Sequence, residues 1–399
     1  MSERYFFRVK PVSLQKMLVY LHPLNPIGRK PNHLLQQEDI EMSIKSLWIA
    51  VFAIMFCQAS VFASSYTDDE TTPTNETPTK SKSRCTLPPY LKKGDKVALL
   101  SPAYSTPYEN VVNTVAVLRD WGFEPVVGPN VEKLHAGKYA GTVTERLSDI
   151  RWALNDPDIK AIICNRGGYG TIHFVNELSP SELSAHPKWI VGFSDITTLH
   201  SMECCAGVMS IHGTMSAFLG PSQGRDMTSV LLRDLLMGKV PRYELPSHPQ
   251  NITGRATGTL VGGNLRTVAP LVGSPADATT QEDFILFLEE VEEPMRNLDR
   301  LFNSLLIRGA MSRCRGVILG QFTDCGTDLE YESAEAMLCE YLKKYNIPVL
   351  CGFPAGHDKV NLPLVIGANV SLDVRSDGAT VSFNIPGKQR TVSTGRVDE

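Results

Sequence analysis

Several features that would assign a chain to a common functional class are missing from this sequence of 399 residues. Basic residues are not in excess: 39 Lys and Arg against 43 Asp and Glu give a formal net charge of -4, so no positive field would attract nucleic acid. None of the nine cysteines forms a Cys-x-x-Cys pair, and we predict neither a metal site nor a cofactor. Several cysteines, such as Cys164 and Cys351, lie in apolar runs, which favours small core residues over a disulfide framework.

The apolar run 47–57 near the N-terminus is too short to form a typical transmembrane helix. Lys45 precedes this run and small residues ending in Ala63 follow it, which is the pattern of a signal peptide over residues 42–63. We therefore expect a periplasmic or secreted protein with no stable membrane insertion after cleavage. The alternatives are a retained signal anchor and a cytoplasmic location.

The regions around this segment have little folding potential. Residues 1–41 are a doubtful upstream extension, because Met42 is a plausible start. Residues 64–86 are polar and rich in Thr, Ser and Pro, and such a composition buries too little surface to offset the entropy of ordering. They are predicted to form a disordered linker, with the folded part starting near Leu87.

What the folded part does contain is an alternation of short apolar runs and helical segments. Continuous apolar runs of this kind are typical of a parallel sheet covered on both faces. They occupy residues 97–102, 123–128, 161–165, 189–194 and 208–213. Thr142 and Glu145 have the spacing of a helix capping box. The sequence predicts an N-terminal α/β domain at 87–220, a Pro-rich interdomain connection at 221–257, and a C-terminal domain at 258–399 that ends in two strands.

Unusual residues follow the predicted strands, at the sheet edge where ligands of such folds bind. The stretch Arg166–Gly170 reads RGGYG, which is either a tight turn or a loop that presents N–H groups to an anion. It lacks the Gly-Lys-Ser/Thr of a nucleotide phosphate loop. Ser194 stands between an apolar strand and a helix start, as a nucleophile on a sharp turn would. The alternative is that Ser194 only caps the helix.

Two further chemical groups follow in the second half of the chain. Glu289 and Glu290 end the apolar run FILFL, and His357 closes a Gly- and Pro-rich stretch. Serine hydrolases need a nucleophile, a base and a carboxylate that orients the base, and these residues occur in the order Ser, Glu, His. The closing Gly of the usual nucleophile elbow is missing, since Ile196 occupies its position. A structural role for each residue stays open on this evidence.

Five blocks in order between about 92 and 390 resemble the LD-carboxypeptidase family of serine peptidases. They are Arg166–Gly170, Gly192–Thr197, Gly262–Leu265, Phe287–Glu290 and Gly352–His357. The resemblance implies a flavodoxin- or Rossmann-like α/β domain with a parallel sheet, a smaller β-rich α/β domain, and a triad at their junction. It assigns Ser194 as nucleophile, Glu289 as orienting acid and His357 as base. Glu290 stands where many relatives carry Asp, so Glu289 and Glu290 both remain candidates for the acid.

The function expected from the resemblance is a serine carboxypeptidase that releases the terminal D-alanine of murein tetrapeptides. The oxyanion would be bound by the backbone N–H groups of Asp195 and Gly168. An alternative is a microcin C immunity-type peptidase acting on peptidyl- or aminoacyl-nucleotides, although Tyr243 is the one aromatic residue in 221–257 to stack a base. A second alternative is a non-catalytic receptor for wall peptides. The resemblance further suggests a homodimer.

Overall fold

The computed structural model describes residues 85–326 and 330–394. The predicted extension 1–41, the signal peptide 42–63 and nearly all of the linker lie outside the described residues. The last two linker residues, Cys85 and Thr86, already belong to the folded part. Thr86 donates its N–H to Gly207 O at 2.7 Å, and its own carbonyl accepts from Met209 N at 3.0 Å. The fold therefore includes two residues before the expected start at Leu87.

The first sheet has six strands in the order β11-β5-β4-β3-β1-β2. Strands β1 to β5 are parallel, and β11 adds an antiparallel edge. The five predicted apolar runs therefore form the parallel part of this sheet. Its strands are β1 Lys96–Leu100, β2 Glu124–Val127, β3 Ile159–Cys164, β4 Trp189–Gly192, β5 Ser210–His212 and β11 Leu364–Ile366.

Helices connect these strands. The predicted capping box is present, because Glu145 N donates to Thr142 Oγ1 at 3.3 Å while Thr142 N donates to Glu145 Oε2 at 2.8 Å. Short 3-10 turns cover Thr171–Phe174 and Ser194–Ile196. The α-helices of this part are α1 Tyr108–Asp120, α2 Val143–Asn155, α3 Pro180–Ala185, α4 Thr197–Cys205, α5 Ser216–Ser222 and α6 Met227–Leu236.

The second sheet has eight strands in the order β10-β9-β8-β7-β12-β13-β6-β14. Strands β7 to β10 are parallel and carry the apolar runs of the second half, whereas β7, β12, β13 and β6 pair antiparallel. The strands are β6 Lys239–Pro246, β7 Gly254–Asn264, β8 Phe284–Val291, β9 Cys314–Thr323, β10 Val349–Leu350, β12 Asn369–Val374, β13 Gly378–Phe383 and β14 Lys388–Ser393. Helices α7 Leu265–Val268, α8 Met295–Ile307 and α9 Ala334–Leu342 lie between them.

The segment 221–257, expected to be an interdomain connection, forms regular secondary structure. It contains α6, the whole of β6 and the start of β7. Pro241 and Pro246 lie within β6, where β13 and β14 flank them. Strand β11, in turn, comes from the C-terminal half of the chain but pairs with β5 in the first sheet. The C-terminal half of the chain thus contributes one strand to the first sheet.

The apolar core follows from the alternation of side chains along the strands. In β1, Val97 and Leu99 face a core that continues into the second sheet, whereas Ala98 and Leu100 face a separate core beneath α2. Successive strand residues point to opposite faces, so both faces of the first sheet are buried. One of these cores contains residues of both sheets and of the helices, and the site described below draws on residues from both sheets.

Other expectations concern membranes and cysteines. No helix in the described residues is long and apolar enough to span a bilayer. All eight cysteines of the described part are free thiols, and six of them are buried. These buried thiols include Cys164 in β3 and Cys351 just after β10, as their apolar neighbours predict.

Candidate active site

Ser194 lies in a backbone conformation that L-residues rarely adopt. It follows β4 directly, after the extended residue Phe193, and has φ of 62° at the start of the 3-10 turn that leads into α4. A positive φ in a non-glycine residue costs of the order of 1–3 kcal/mol, and such strain is concentrated at functional sites. The sharp strand-to-helix turn is that of a nucleophile elbow.

The simpler interpretation of Ser194, as a helix cap, is wrong. The residue lies inside the first helical turn, and neither the 3-10 turn nor α4 has a side-chain cap. Its side chain is therefore not engaged in satisfying the helix N-terminus. The strained backbone needs another explanation, and presenting the hydroxyl to a cavity supplies one.

The glycine-rich loop Arg166–Gly170 lies against this turn. A Cβ atom on Gly167 would lie 2.8 Å from Ser194 Cβ and 3.1 Å from Ser194 Oγ, so a side chain there would crowd the hydroxyl. The next residues fix the loop, since Thr171 N donates to Asp195 Oδ2 at 2.9 Å and Thr171 Oγ1 donates to Asp195 O at 2.6 Å. Glycine is thus required for the close approach of the two segments.

Glu289 and His357 come together from the second sheet. Glu289 stands near the end of β8 and is fully buried, and His357 lies in the loop between β10 and β11. His357 Nδ1 is 2.7 Å from Glu289 Oε2. With Nδ1 hydrogen-bonded to a carboxylate, the imidazole is held in the tautomer whose Nε2 is free to accept a proton. The side chain of His357 remains 16% exposed, which keeps this nitrogen within reach of a ligand.

The electrostatics of His357 follow from the same contact. Burial lowers the pKa of His357, but the hydrogen bond and the charge of Glu289 raise it by more, so the net pKa lies above the ordinary value. The imidazolium form is therefore stabilised by its carboxylate partner. Such stabilisation favours a histidine that accepts a proton and holds it as an imidazolium during a reaction.

Glu290 has different partners from its neighbour. The register of β8 against β9 shifts between Leu288 and Glu290. Glu290 then accepts hydrogen bonds from Asn264 Nδ2 and from Arg266 N, both at 2.7 Å. Burial raises its pKa to about 7, although these hydrogen bonds favour the charged form. Of the two adjacent carboxylates, Glu289 is the one hydrogen-bonded to His357.

The two parts of the site meet at Phe193. The Phe193 ring, adjacent to Ser194 in the chain, lies edge-on to the His357 ring with their centroids 5.0 Å apart. The Ser194 hydroxyl forms no hydrogen bond with His357 in the described part of the chain. Hydrogen bonds between nucleophile and base are often long in unliganded enzymes and tighten when the substrate binds. The structure therefore pairs His357 with Glu289 and places the His357 ring against the residue that precedes Ser194, without a closed triad.

A cavity of about 540 Å³ opens beside Ser194. Its wall combines the Ser194 turn and the glycine-rich loop from the first sheet with acidic residues from the second. It is lined by Tyr104, Gly168, Tyr169, Ile172, Ser194, Asp195, Thr198, Asn264, Arg266, Thr267, Pro270, Glu290, Val291 and Glu293. The volume is typical of a small-molecule site. Gly168 and Asp195, whose N–H groups were expected to bind an oxyanion, both line it.

Sequence reasoning missed several residues that complete the site. Asn361 positions the His357 loop, since its Oδ1 accepts from Gly356 N at 3.1 Å and contacts His212 Nε2 at 3.1 Å. Asn264, at the end of β7, donates a hydrogen bond to Glu290. It belongs to the motif Gly262–Leu265, but that motif did not indicate a role for the Asn264 side chain. The contacts of Asn361 with His212 and of Asn264 with Glu290 join residues 149 and 26 positions apart, so no local pattern indicated them. In the described residues, no cluster of His, Cys, Asp and Glu side chains could hold a metal ion.

Comparison with known proteins agrees with this architecture. Residues 97–213 match the family model described as the LD-carboxypeptidase N-terminal domain, and residues 257–372 match the LD-carboxypeptidase C-terminal domain. The chain belongs to the LD-carboxypeptidase family. The resemblance seen in the sequence motifs is thus confirmed, as is the α/β fold class.

Named relatives and a solved structure extend the comparison. The chain is 32% identical to the murein tetrapeptide carboxypeptidase of Pseudomonas aeruginosa, over 70% of this chain and 93% of that protein. It is 26% identical to the microcin C7 self-immunity protein MccF of Escherichia coli, over 73% and 94%. The crystal structure of muramoyltetrapeptide carboxypeptidase from Oxalobacter formigenes matches with a TM-score of 0.64 at 26% identity, over 73% of this chain and 99% of that one. This LD-carboxypeptidase family member is accordingly a peptidase.

Proposed function

We propose that this protein is a serine-type LD-carboxypeptidase that releases the terminal D-alanine of murein tetrapeptides. The observation that carries the proposal is the hydrogen bond from His357 Nδ1 to the fully buried Glu289, with the His357 ring against Phe193, the neighbour of the strained Ser194. The name of the Pseudomonas aeruginosa relative supports the substrate class. A non-catalytic receptor for wall peptides would have no need of an oriented imidazole or of a strained serine.

The chemistry follows from the roles of these groups. Ser194 Oγ attacks the carbonyl carbon of the bond between the L-centre of the diamino acid and D-alanine, while His357 Nε2 accepts the hydroxyl proton. Glu289 stabilises the imidazolium that forms. The tetrahedral oxyanion is bound by the backbone N–H groups of Asp195 and Gly168. When the C–N bond breaks, His357 returns the proton to the leaving amine, and water then hydrolyses the acyl-enzyme.

The direct test is mass spectrometry of the purified protein with a disaccharide tetrapeptide. We expect loss of one alanine residue from the wild-type reaction and an intact substrate with the Ser194→Ala variant. Release of a dipeptide, or cleavage at the sugar, would contradict the proposed bond. This assay identifies the bond, the product and the substrate class together.

A second candidate is cleavage of peptidyl- or aminoacyl-nucleotides, as the relationship to MccF suggests. One observation favours it: Tyr169 lines the cavity and is 47% exposed, so its ring is accessible to a planar base. Against it, Tyr243 is fully buried and donates to Pro363 O at 2.7 Å, so it cannot serve as a stacking surface. Turnover of an aminoacyl-sulfamoyl nucleoside or a peptidyl-nucleotide faster than the tetrapeptide would favour this candidate.

We further propose that the protein is exported, with cleavage after Ala63. The support is the sequence pattern of Lys45, the apolar run and the small residues before the cleavage point. N-terminal sequencing of protein from its native host should find Ser64 at the start. An intact segment 42–63 would instead indicate an anchored or cytoplasmic enzyme. The homodimer suggested by the family resemblance stays a prediction.

A further inference from the structure

We propose that Arg266 is a substrate-binding residue that pairs with a carboxylate of the substrate beside Ser194. The inference rests on the proposed function, because it concerns how a carboxypeptidase of this kind holds a peptide with free carboxylates. Arg266 belongs to the residues that line the cavity with Ser194. Among those described lining residues it has the one permanently cationic side chain.

The backbone of Arg266 is held in place from two sides. It lies in the first turn of α7, which Asn264 caps by accepting a hydrogen bond from Thr267 N at 3.2 Å. The same Asn264 donates from Nδ2 to the buried Glu290, and Arg266 donates its own N–H to that carboxyl group. The start of the Arg266 side chain is thus fixed against the end of β8. A fixed origin reduces the entropy lost when the guanidinium binds a ligand.

The guanidinium itself is positioned by Glu293. Arg266 Nη1 donates to Glu293 Oε1, while Asn297 Nδ2 donates to the other oxygen at 2.8 Å. The Glu293 side chain is 5% exposed, whereas that of Arg266 is 71% exposed. One edge of the guanidinium is therefore held against the protein, and its other N–H donors are accessible from the cavity. The planar fork of such donors matches the two oxygens of a carboxylate.

The charge of the cavity explains why a cation is needed at this place. Three carboxyl side chains also line the cavity, those of Asp195, Glu290 and Glu293. A substrate carboxylate that enters such a cavity loses hydration and meets like charges, so it binds only if it is paired. A tetrapeptide offers two such carboxylates. One is the C-terminal carboxylate of D-alanine, and the other is the side-chain carboxylate of diaminopimelate where that is the diamino acid.

The test compares wild type with Arg266→Gln and Arg266→Lys on three tetrapeptides. The first contains diaminopimelate and D-alanine, the second has lysine in place of diaminopimelate, and the third ends in D-alaninamide. We expect Arg266→Gln to lower kcat/KM on the first by roughly 10- to 100-fold, mainly through KM, as the loss of a charge-assisted hydrogen bond does. Arg266→Lys should retain part of the activity.

The other two substrates identify which carboxylate is bound. The effect of Arg266→Gln should nearly vanish on the substrate that lacks the partner carboxylate: the lysine peptide if diaminopimelate is bound, the amide if D-alanine is bound. Arg255→Gln is the matched control, because Arg255 is also an exposed arginine paired with an acid, Asp373, but does not line the cavity. It should leave kcat/KM unchanged on all three.

Two results would overturn the inference. An equal loss on all three substrates would mean that Arg266 acts on the structure of the site and not on a carboxylate, and no loss on any would mean that it does not contact the substrate. In both cases wild-type release of D-alanine shows that the proposed function stands. If wild type releases neither D-alanine from the first two peptides nor D-alaninamide from the third, the proposed function fails, and the inference with it.

Discussion

The two sheets supply their parts of the site by different physical means. The six-stranded sheet positions Ser194 through its backbone, with a φ of 62° at the end of β4 and a glycine loop packed against it. The eight-stranded sheet positions His357 through a side chain, because the fully buried Glu289 holds its Nδ1 at 2.7 Å. The first arrangement depends on local strain, and the second on a buried charge.

Because the two halves hold their residues differently, we expect them to respond to substitution in different ways. A strained backbone is relieved by a residue that tolerates positive φ, so removing the serine can stabilise the fold while abolishing the reaction. A buried carboxylate offers no such gain, since its neutral analogue keeps the shape and loses the charge. Variants in both halves can therefore confirm or contradict the comparison.

The largest effect is expected at Ser194. Ser194→Ala should fold normally and lose several orders of magnitude in rate, as removal of a covalent nucleophile does. Ser194→Gly should be equally inactive but more stable than Ser194→Ala by about 1 kcal/mol, because glycine adopts positive φ without strain. Turnover of tetrapeptide and denaturant unfolding measure the two effects. An alanine variant with more than a tenth of wild-type turnover would remove Ser194 as the nucleophile.

The next effect distinguishes the adjacent carboxylates. Glu289→Gln should keep the fold and reduce turnover by roughly a thousandfold or more, because an amide no longer favours the correct imidazole tautomer or its charged form. Glu290→Gln should cost about tenfold or less if its role is confined to hydrogen bonds with Asn264 and Arg266. Both variants are measured on the same tetrapeptide. The reverse ranking would transfer the acid's role to Glu290.

A smaller effect, about tenfold per pH unit, is expected on the acid side of the pH profile. His357 must be neutral to accept a proton, and Glu289 raises its pKa above 6.5, so kcat/KM should fall as the pH drops through that raised value. Glu289→Gln removes the cause of the increase and should move the fall in activity to lower pH.

Glu290 provides the control for this profile, since its own pKa is raised to about 7 by burial. The acid limb should move less in Glu290→Gln than in Glu289→Gln, because the charge of Glu290 raises the pKa of His357 by less than Glu289 does. If the acid limb vanishes in Glu290→Gln but not in Glu289→Gln, the titrating group is Glu290. The pH profile would then no longer support His357 as the base.

The smallest effect is expected from chelators. Neither the cysteine and histidine spacing nor any donor cluster of the described residues is suited to a bound metal ion. Dialysis against EDTA should therefore leave tetrapeptide turnover within experimental error of the untreated enzyme. Loss of activity that a divalent metal restores would contradict the serine-hydrolase chemistry in both halves of the site.

Much of the fold was predictable because its signals are local. The apolar runs of β1 to β5 and the capping box at Thr142 and Glu145 depend on neighbouring residues, and the structure contains them all. Strands β6 and β14 were missed because they have prolines or alternate with polar residues at the sheet edge, and the short edge strand β11 was missed as well. Their pairing comes from partners distant in the chain, which a pattern of single residues does not record.

The sequence by itself determined the residue types at the site, the first five strands as a parallel sheet, and the family, because these are expressed in short motifs. It left open whether Ser194 caps a helix and which carboxylate reaches His357. Tertiary structure decided both: Ser194 lies inside the turn with a positive φ, and the packing of β8 brings Glu289 to His357 while Glu290 contacts Asn264. The physical reason is that the orientation of a side chain depends on how strands distant in the chain pack together. The interactions between such strands are not contained in any short stretch of sequence.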